Sequence, residues 1–229
     1  MPPSQKGSIM TTFELYAESL PLLVQGLWLT IELAFLSLAI AMVLGVLASL
    51  MGMSRSKVLN AINAAYVAVI RGTPLLVQAY FIYFGVTQAL GIRLTEFVAG
   101  TIALSLNAGG YLSEIFRGGI QAVDPGQTEA ARSLGLSAHQ TTWRIVLPQA
   151  IRICLPSVVN QWCITIKDTS IICVIGLAEL TRMTQTVIAR NFRSFEMWIL
   201  CGAIYFVVIY LLTVGAHALE REVSLGNGR

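Results

Sequence analysis

Five stretches of the chain are apolar for long enough to cross a bilayer, and polar breaks separate them. The first predicted span runs from Pro21 to Met51. Ser19 can cap it, and Pro21 suits a first helical turn, where a missing N–H costs nothing. At ~1.5 Å per residue this stretch exceeds a ~30 Å hydrocarbon core, so it must tilt or protrude. After Arg55 and Lys57, Val58 to Ile70 is apolar apart from Asn60 and Asn63, which share a helical face. That segment is too short to span and predicts an elbow helix lying in the interface. Arg71-Gly72-Thr73-Pro74 ends it and opens the second span, Pro74 to Leu90. The third span is Phe97 to Phe116, the fourth Pro156 to Leu177 and the fifth Trp198 to Leu219. A long interval, 117–155, separates the third from the fourth.

Composition agrees with this pattern. Only 12% of the 229 residues are charged and 55% are hydrophobic, with a mean hydropathy of +0.71. A soluble domain carries about 25% charged residues, so much of this surface does not face water. The net charge of +3 is too small to argue for nucleic acid. The position of the basic residues is more informative than their sum. If the C-terminus is cytoplasmic, the inner segments hold Arg55, Lys57, Arg71, Arg117, Arg132, Arg144, Arg152, Arg221 and Arg229, and the outer ones hold Lys6, Arg93, Arg182, Arg190 and Arg193. That bias has the sign of the positive-inside rule. It predicts an extracytoplasmic N-terminal segment, 1–20, a cytoplasmic tail, 220–229, and a cytoplasmic 117–155 loop. The first twenty residues show no short apolar core followed by a cleavage site, so no removable signal peptide is expected. Cys154, Cys163, Cys173 and Cys201 lie in or beside apolar stretches without CxxC spacing and read as buried thiols.

The 117–155 loop is polar yet patterned for helix. Asp124-Pro125-Gly126-Gln127 offers a cap, a first-turn proline and a glutamine three residues after the cap. A helix is predicted from there to Leu134, ended by Gly135, which tolerates the left-handed conformation. Ser137-Ala138-His139-Gln140 forms a second capping box and opens a helix to Leu147, with Pro148 as its end or a kink. Two short helices joined by a tight turn also describe a DNA-reading helix-turn-helix. That reading needs a basic helix free to enter a groove, whereas this unit is tethered at both ends and carries Glu129 among few cations. A shield over the membrane face is the bland alternative. A docking knob for a cytoplasmic partner is the functional one.

Within this loop, Glu129-Ala130-Ala131, then Gly135, then Ile145-Val146-Leu147-Pro148 resembles the EAA loop of bacterial ABC-importer permeases at every fixed position. Arg71 to Gln78, Leu104 to Asn107, Lys167 to Ser170, and Glu179-Leu180 with Arg182 resemble the polar amino-acid branch of that family. The resemblance covers Pro21 to Glu222. It implies an all-α membrane protein with the type I importer fold: five transmembrane helices, an elbow helix and a cytoplasmic coupling helix pair. It further implies a second permease subunit, identical or paralogous, a cytoplasmic ATPase dimer that binds ATP and Mg, and an extracytoplasmic binding protein that delivers the amino acid. Carried over residue by residue, Glu129, Ala130, Ala131 and Gly135 form the ATPase-docking set. The physics of the residues points the same way. Small Ala130 and Ala131 permit close approach, Gly135 sets the angle between the helices, and Glu129 offers a charge. The chain has no G-x-x-x-x-G-K-[ST] phosphate loop, so no cofactor is expected within it. His139 and His217 read as surface or interface residues, and no metal-ligand spacing or nucleophile–base pairing is evident.

Polar residues inside the spans are the remaining candidates, because ionisable groups in hydrocarbon are costly. Glu32 lies mid-way along the first span, and Gln25 shares its face. Ala103, Asn107, Gly110 and Glu114 form a stripe on the third; Asn160, Gln161, Thr165, Lys167 and Asp168 gather on the fourth. In one reading they line a substrate path, with Glu32, Asn107, Glu114, Gln161, Lys167 and Asp168 as its candidates. In the other, Lys167 pairs with Glu32, Glu114 or the neighbouring subunit. Lys167 and Asp168 are ~100° apart on a helix and poorly placed to pair with each other. Gly100, Gly109 and Gly110 permit close helix packing. A self-contained secondary transporter is the rival function, disfavoured by the lack of paired internal repeats. A membrane enzyme is weaker still, for want of an acid, base and nucleophile at one depth.

Overall fold

Residues 11–225 are described by the structure, a computed structural model. The side chains of His217 and of residues 219–225 are not among those described. The expectations for Lys6, His217, Arg221 and Arg229 therefore lie outside the described residues. Among the described residues the ordered elements are helical. We number them α1 (Thr12–Gly52), α2 (Lys57–Gly72), α3 (Leu75–Leu90), α4 (Glu96–Gln121), α5 (Pro125–Ser133), α6 (Ala138–Ile175), α7 (Leu180–Asn191) and α8 (Ser194–Leu225).

The long helix α1 starts nine residues before the predicted boundary. Its cap is Thr11, whose hydroxyl accepts from the Glu14 N–H while the Glu14 carboxylate accepts from the Thr11 N–H. Ser19 and Pro21 therefore lie inside the helix. The predicted fourth span begins earlier still, because α6 runs from the loop through Pro148 and Pro156. A proline ring clashes with the carbonyl four residues back. The wide π turn Thr142–Val146, just ahead of Pro148, opens the helix at that point, so the chain continues. The end of α6 tightens into a 3-10 stretch, Thr169–Ile175, closed by Gly176 at a φ of 101°.

The elbow segment and the second span form a bent pair. Helices α2 and α3 meet at 107° across Thr73-Pro74. Gln78 closes the bend: its amide donates to the Ile70 carbonyl (2.9 Å) and to the Thr73 carbonyl and hydroxyl (3.1 and 2.9 Å). Asn107 on α4 donates to the Gln78 oxygen at 3.1 Å. Groups exposed by the break are thus satisfied within the protein, as a lipid environment requires.

By length and apolarity, three of the described helices can cross a membrane, α1, α6 and α8, or four with the bent α2–α3 pair. Helix α4, the predicted third span, falls short of that apolarity because its polar stripe dilutes it. It is instead the centre of the bundle, packed by α1, α2, α3 and α6. Helices α1 and α4 run side by side in the same direction. Gly45 lies so close to α4 that an added Cβ would sit 2.7 Å from Leu112 Cβ, and Ser105 Oγ donates to the Ser37 carbonyl at 3.2 Å. Gly100, Gly109 and Gly110 face Ile172, Leu44 and Ile70 respectively, the close packing expected of them. Outward-facing Trp28, Phe35, Val43 and Phe206 are mostly exposed, as a lipid-facing surface demands.

Helix α7 seals the end of the bundle opposite α5. Gly26 of α1 abuts it, and a Cβ there would meet Leu180 backbone atoms at 3.0 Å. Gly26→Val is expected to push α7 away and destabilise the purified protein by about 1–3 kcal/mol. Gly118→Ala, which meets nothing within 4 Å, should leave stability unchanged or slightly raised. Melting temperatures in matched detergent would compare the two.

Candidate functional site

The α5–α6 knob projects from one end of the bundle. Its first helix starts where Asp124 Oδ1 accepts from the Gly126 N–H at 2.8 Å and Pro125 occupies the first turn. The Gln127 side chain, expected to return the cap, does not do so among the described residues; its N–H bonds the Asp124 carbonyl instead. The helix ends in a closed left-handed turn. Gly135 has a φ of 84°; its N–H reaches the Arg132 carbonyl, and the Leu136 N–H reaches the Ala131 carbonyl. This paired closure is the Schellman arrangement that favours glycine. Arg132 Nη1 locks the turn by donating to the Leu136 carbonyl at 2.7 Å. The next helix opens on the capping box predicted from sequence: Ser137 N–H donates to Gln140 Oε1 (2.8 Å), and Gln140 N–H to Ser137 Oγ (3.2 Å).

The four coupling candidates lie together on this knob. Glu129 and Ala130 are exposed, whereas Ala131 is buried in the angle against the start of α6. Gly135 is exposed and has open space around it, so its requirement is conformational. Two apolar side chains that the sequence reading passed over share this surface. Leu134 is 83% exposed and Trp143 59% exposed, with the His139 ring 6.0 Å from the Trp143 ring. A leucine at a helix end in an otherwise polar loop was the available signal.

The intramembrane candidates do not converge. Asn107 is committed to Gln78. Glu114 pairs with Arg117 at 2.6 Å and lies 4.0 Å from Arg71, whose guanidinium also covers the Tyr111 ring. Gln161 is buried and its amide is 3.5 Å from Thr165 Oγ1. Lys167 and Glu32 are exposed, Asp168 is half-buried, and none of the three forms an ion pair among the described residues. Gly100 packs on Ile172, just past Lys167. Glu114 is fourteen residues further along α4, about 20 Å away at the helical rise. A Glu114–Lys167 pair is thereby ruled out in this conformation.

Glu179 is the buried carboxylate of the molecule's other end. It is 0% exposed and caps α7. Oε1 accepts from the Arg182 N–H (2.8 Å), and Oε2 from the Thr181 N–H and the Tyr205 hydroxyl (both 2.9 Å). The Leu180 N–H donates to Thr30 on α1, so one helix start ties α1, α7 and α8 together. The sequence showed Glu179 only as part of a family-like stretch. Burial pushes its carboxyl up, against the pull of the Thr181, Arg182 and Tyr205 donors.

A family model described as binding-protein-dependent transport system inner membrane component matches residues 41–225. The glutamine transport system permease protein of Escherichia coli strain K12 is 38% identical over 208 residues, covering 90% of this chain and 95% of that protein. The arginine transport system permease protein of Bacillus subtilis strain 168 is 37% identical over 205 residues, covering 90% and 94%. A crystal structure of an amino acid ABC transporter with histidines superposes with a TM-score of 0.85 at 40% identity, covering 90% of this chain and 96% of that one. An inward-facing methionine ABC transporter shares the fold at a TM-score of 0.75 and 18% identity, covering 88% and 96%. The fold and the knob define a membrane-embedded subunit of an importer. The chain belongs to the family of binding-protein-dependent transport system inner membrane components.

Two outcomes follow for these sites. Gly135→Pro removes both the positive φ and the N–H to Arg132, and should loosen the α5 amides in hydrogen exchange. Gly135→Asn, which tolerates the left-handed region, should cost about 1 kcal/mol or less. For Glu179, a carboxyl raised by the fold binds its proton more readily there than in the unfolded chain. Its contribution is therefore present below the unfolded pKa and lost as pH rises through the folded one. Glu179→Gln should remove the pH dependence of the melting temperature that sets in above the ordinary carboxyl range, about pH 4, and Glu179→Ala should lower it throughout.

Proposed function

We propose that the chain is the permease subunit of an ATP-binding-cassette importer that takes up amino acids, polar or charged ones, delivered by an extracytoplasmic binding protein. The observation that carries this reading is the rigid α5–α6 knob, doubly capped and closed by Gly135, with Leu134 and Glu129 exposed on it. The names of its relatives, glutamine and arginine permeases, support the amino-acid substrate. The chain itself is non-catalytic; ATP and Mg belong to a pair of cytoplasmic ATPases. Glu129, Ala130, Ala131 and Gly135, joined by Leu134, dock the knob into the ATPase surface.

In this reading the bacterial inner membrane is crossed five times, by α1, the bent α2–α3 pair, α4, α6 and α8. The N-terminus is outside and the C-terminus cytoplasmic. Helix α4 crosses despite its polar stripe because neighbours cover it on several sides and Gln78 satisfies Asn107. A second permease subunit, identical or paralogous, covers the faces that leave Glu32 and Lys167 unpaired, since charges in hydrocarbon need partners. Between Lys167, Asp168 and the buried Gln161 lies the substrate path. ATP binding draws the two ATPases together, the knobs follow, and the bundles rock between inward- and outward-open states.

The test is uptake by proteoliposomes containing permease, ATPase and binding protein. Glu129→Lys and Leu134→Asp should abolish ATP-driven uptake by at least tenfold and uncouple the ATPase on copurification, while both variants still reach the membrane. Normal uptake by these variants, or uptake by the permease alone under an ion gradient, would overturn the reading.

A further inference from the structure

At the end of the bundle opposite the knob, a cavity of about 480 Å³ opens between the first four turns of α1 and the C-terminal end of α7. That is within the range of about 300–1,000 Å³ typical of small-molecule sites. Glu18, Ser19 and Gln25 line it from α1, Arg190 and Asn191 line it from the end of α7, and Leu22 contributes to its apolar floor. The charges around it are otherwise committed. Arg193 pairs with Glu196 at 2.6 Å, Glu14 caps α1, and Arg182 bonds Gln185. Glu18, Gln25 and Arg190 make no side-chain hydrogen bond or ion pair among the described residues. Ser19 is only 4% exposed, and its hydroxyl likewise bonds no described residue, although it lines the cavity. Unlike the enclosed, unpartnered Ser37 and Ser49 hydroxyls further along α1, the Ser19 hydroxyl keeps some open surface, so a polar ligand in the cavity can reach it.

We propose that this cavity binds a small zwitterion, the free amino acid itself, as a receiving site on the extracytoplasmic side; this rests on the function proposed above. An ammonium group needs a carboxylate and an acceptor hydroxyl, which Glu18 and Ser19 provide. A carboxylate needs a guanidinium and amide donors, which Arg190 and Asn191 provide. Gln25 can serve either end, and the Leu22 floor takes the side-chain methylenes. One acid and one base left apart on opposite walls suit a ligand carrying both charges and would repay neither a lone cation nor a lone anion. A phosphatidylethanolamine headgroup carries the same pair of charges and is the competing source.

The experiment uses the full complex in nanodiscs of phosphatidylglycerol, without binding protein or ATP, and measures equilibrium binding of radiolabelled L-glutamine and L-arginine. Glu18→Gln and Arg190→Gln should each weaken binding about tenfold, and Ser19→Val a few-fold. The amino-acid methyl ester, which lacks the anionic end, should respond to Glu18→Gln but not to Arg190→Gln. Exchanging the charges, Glu18→Arg with Arg190→Glu, should recover part of the loss. Adding phosphatidylethanolamine should change none of this. Unaltered binding in both single variants, or displacement of the amino acid by phosphatidylethanolamine, would overturn the proposal. Binding is read here without ATP or binding protein, whereas the coupling test reads ATP-driven uptake, so failure of that uptake and failure of this site give separate results.

Discussion

The contact between α1 and α4 is the interaction on which the rest of the structure depends. The two helices run in the same direction and approach closely because glycine, alanine and serine occupy the seam: Gly45 against Leu112, and Ser37 against Ser105. In lipid, the hydrophobic effect does not draw helices together, so close van der Waals approach and interhelical hydrogen bonds must do it. With this pair fixed, α2 can lie against the far half of α4, where Ser113 meets Asn63, and α6 can pack on its other side. Widening the seam by a single methyl group would disturb every one of these neighbours.

The second constraint is that broken backbone must find partners inside the protein. The α2–α3 bend satisfies it through Gln78 and Asn107. The start of α7 satisfies it through Glu179 and Thr30. The two places resemble each other: in each, a polar side chain satisfies a helix terminus and reaches another helix. The polarity of the intramembrane stripe is thus largely consumed in holding shape, which leaves Lys167, Asp168 and Glu32 as the charges without an internal task.

The knob was the most legible part of the molecule, because capping residues, Pro125 and Gly135 act over three or four positions and their physics is local. The two helices, their turn and the second capping box follow from that short-range chemistry. The helix boundaries at Pro21 and Pro148 were less legible. A proline reads as a start or a stop in isolation, and only the capping pair Thr11–Glu14 and the π turn before Pro148 decide otherwise. The destination of Asn107 could not be read at all, since Gln78 reaches it only once the α2–α3 bend has formed, whereas the Glu114–Arg117 pair is an i,i+3 contact that local spacing alone could have shown. Leu134 was visible as a letter but not as a surface, because exposure is a property of the fold. Each of the five apolar runs falls on a helix, but the run that became α4 also carries a polar stripe, which its neighbours cover.

The length of α1 has a mechanical consequence. Between Gly26, seated against α7, and Gly52, seated against Asn63 of α2, the chain is one uninterrupted helix of about 39 Å at the helical rise. Both ends are gripped, and the middle is clasped by α4. A tilt of about 5° around that clasp would carry each gripped end about 2 Å in opposite senses. The two ends of the bundle are therefore linked as on a seesaw: a sideways push on one gripped end of α1 is returned at the other with opposite sign.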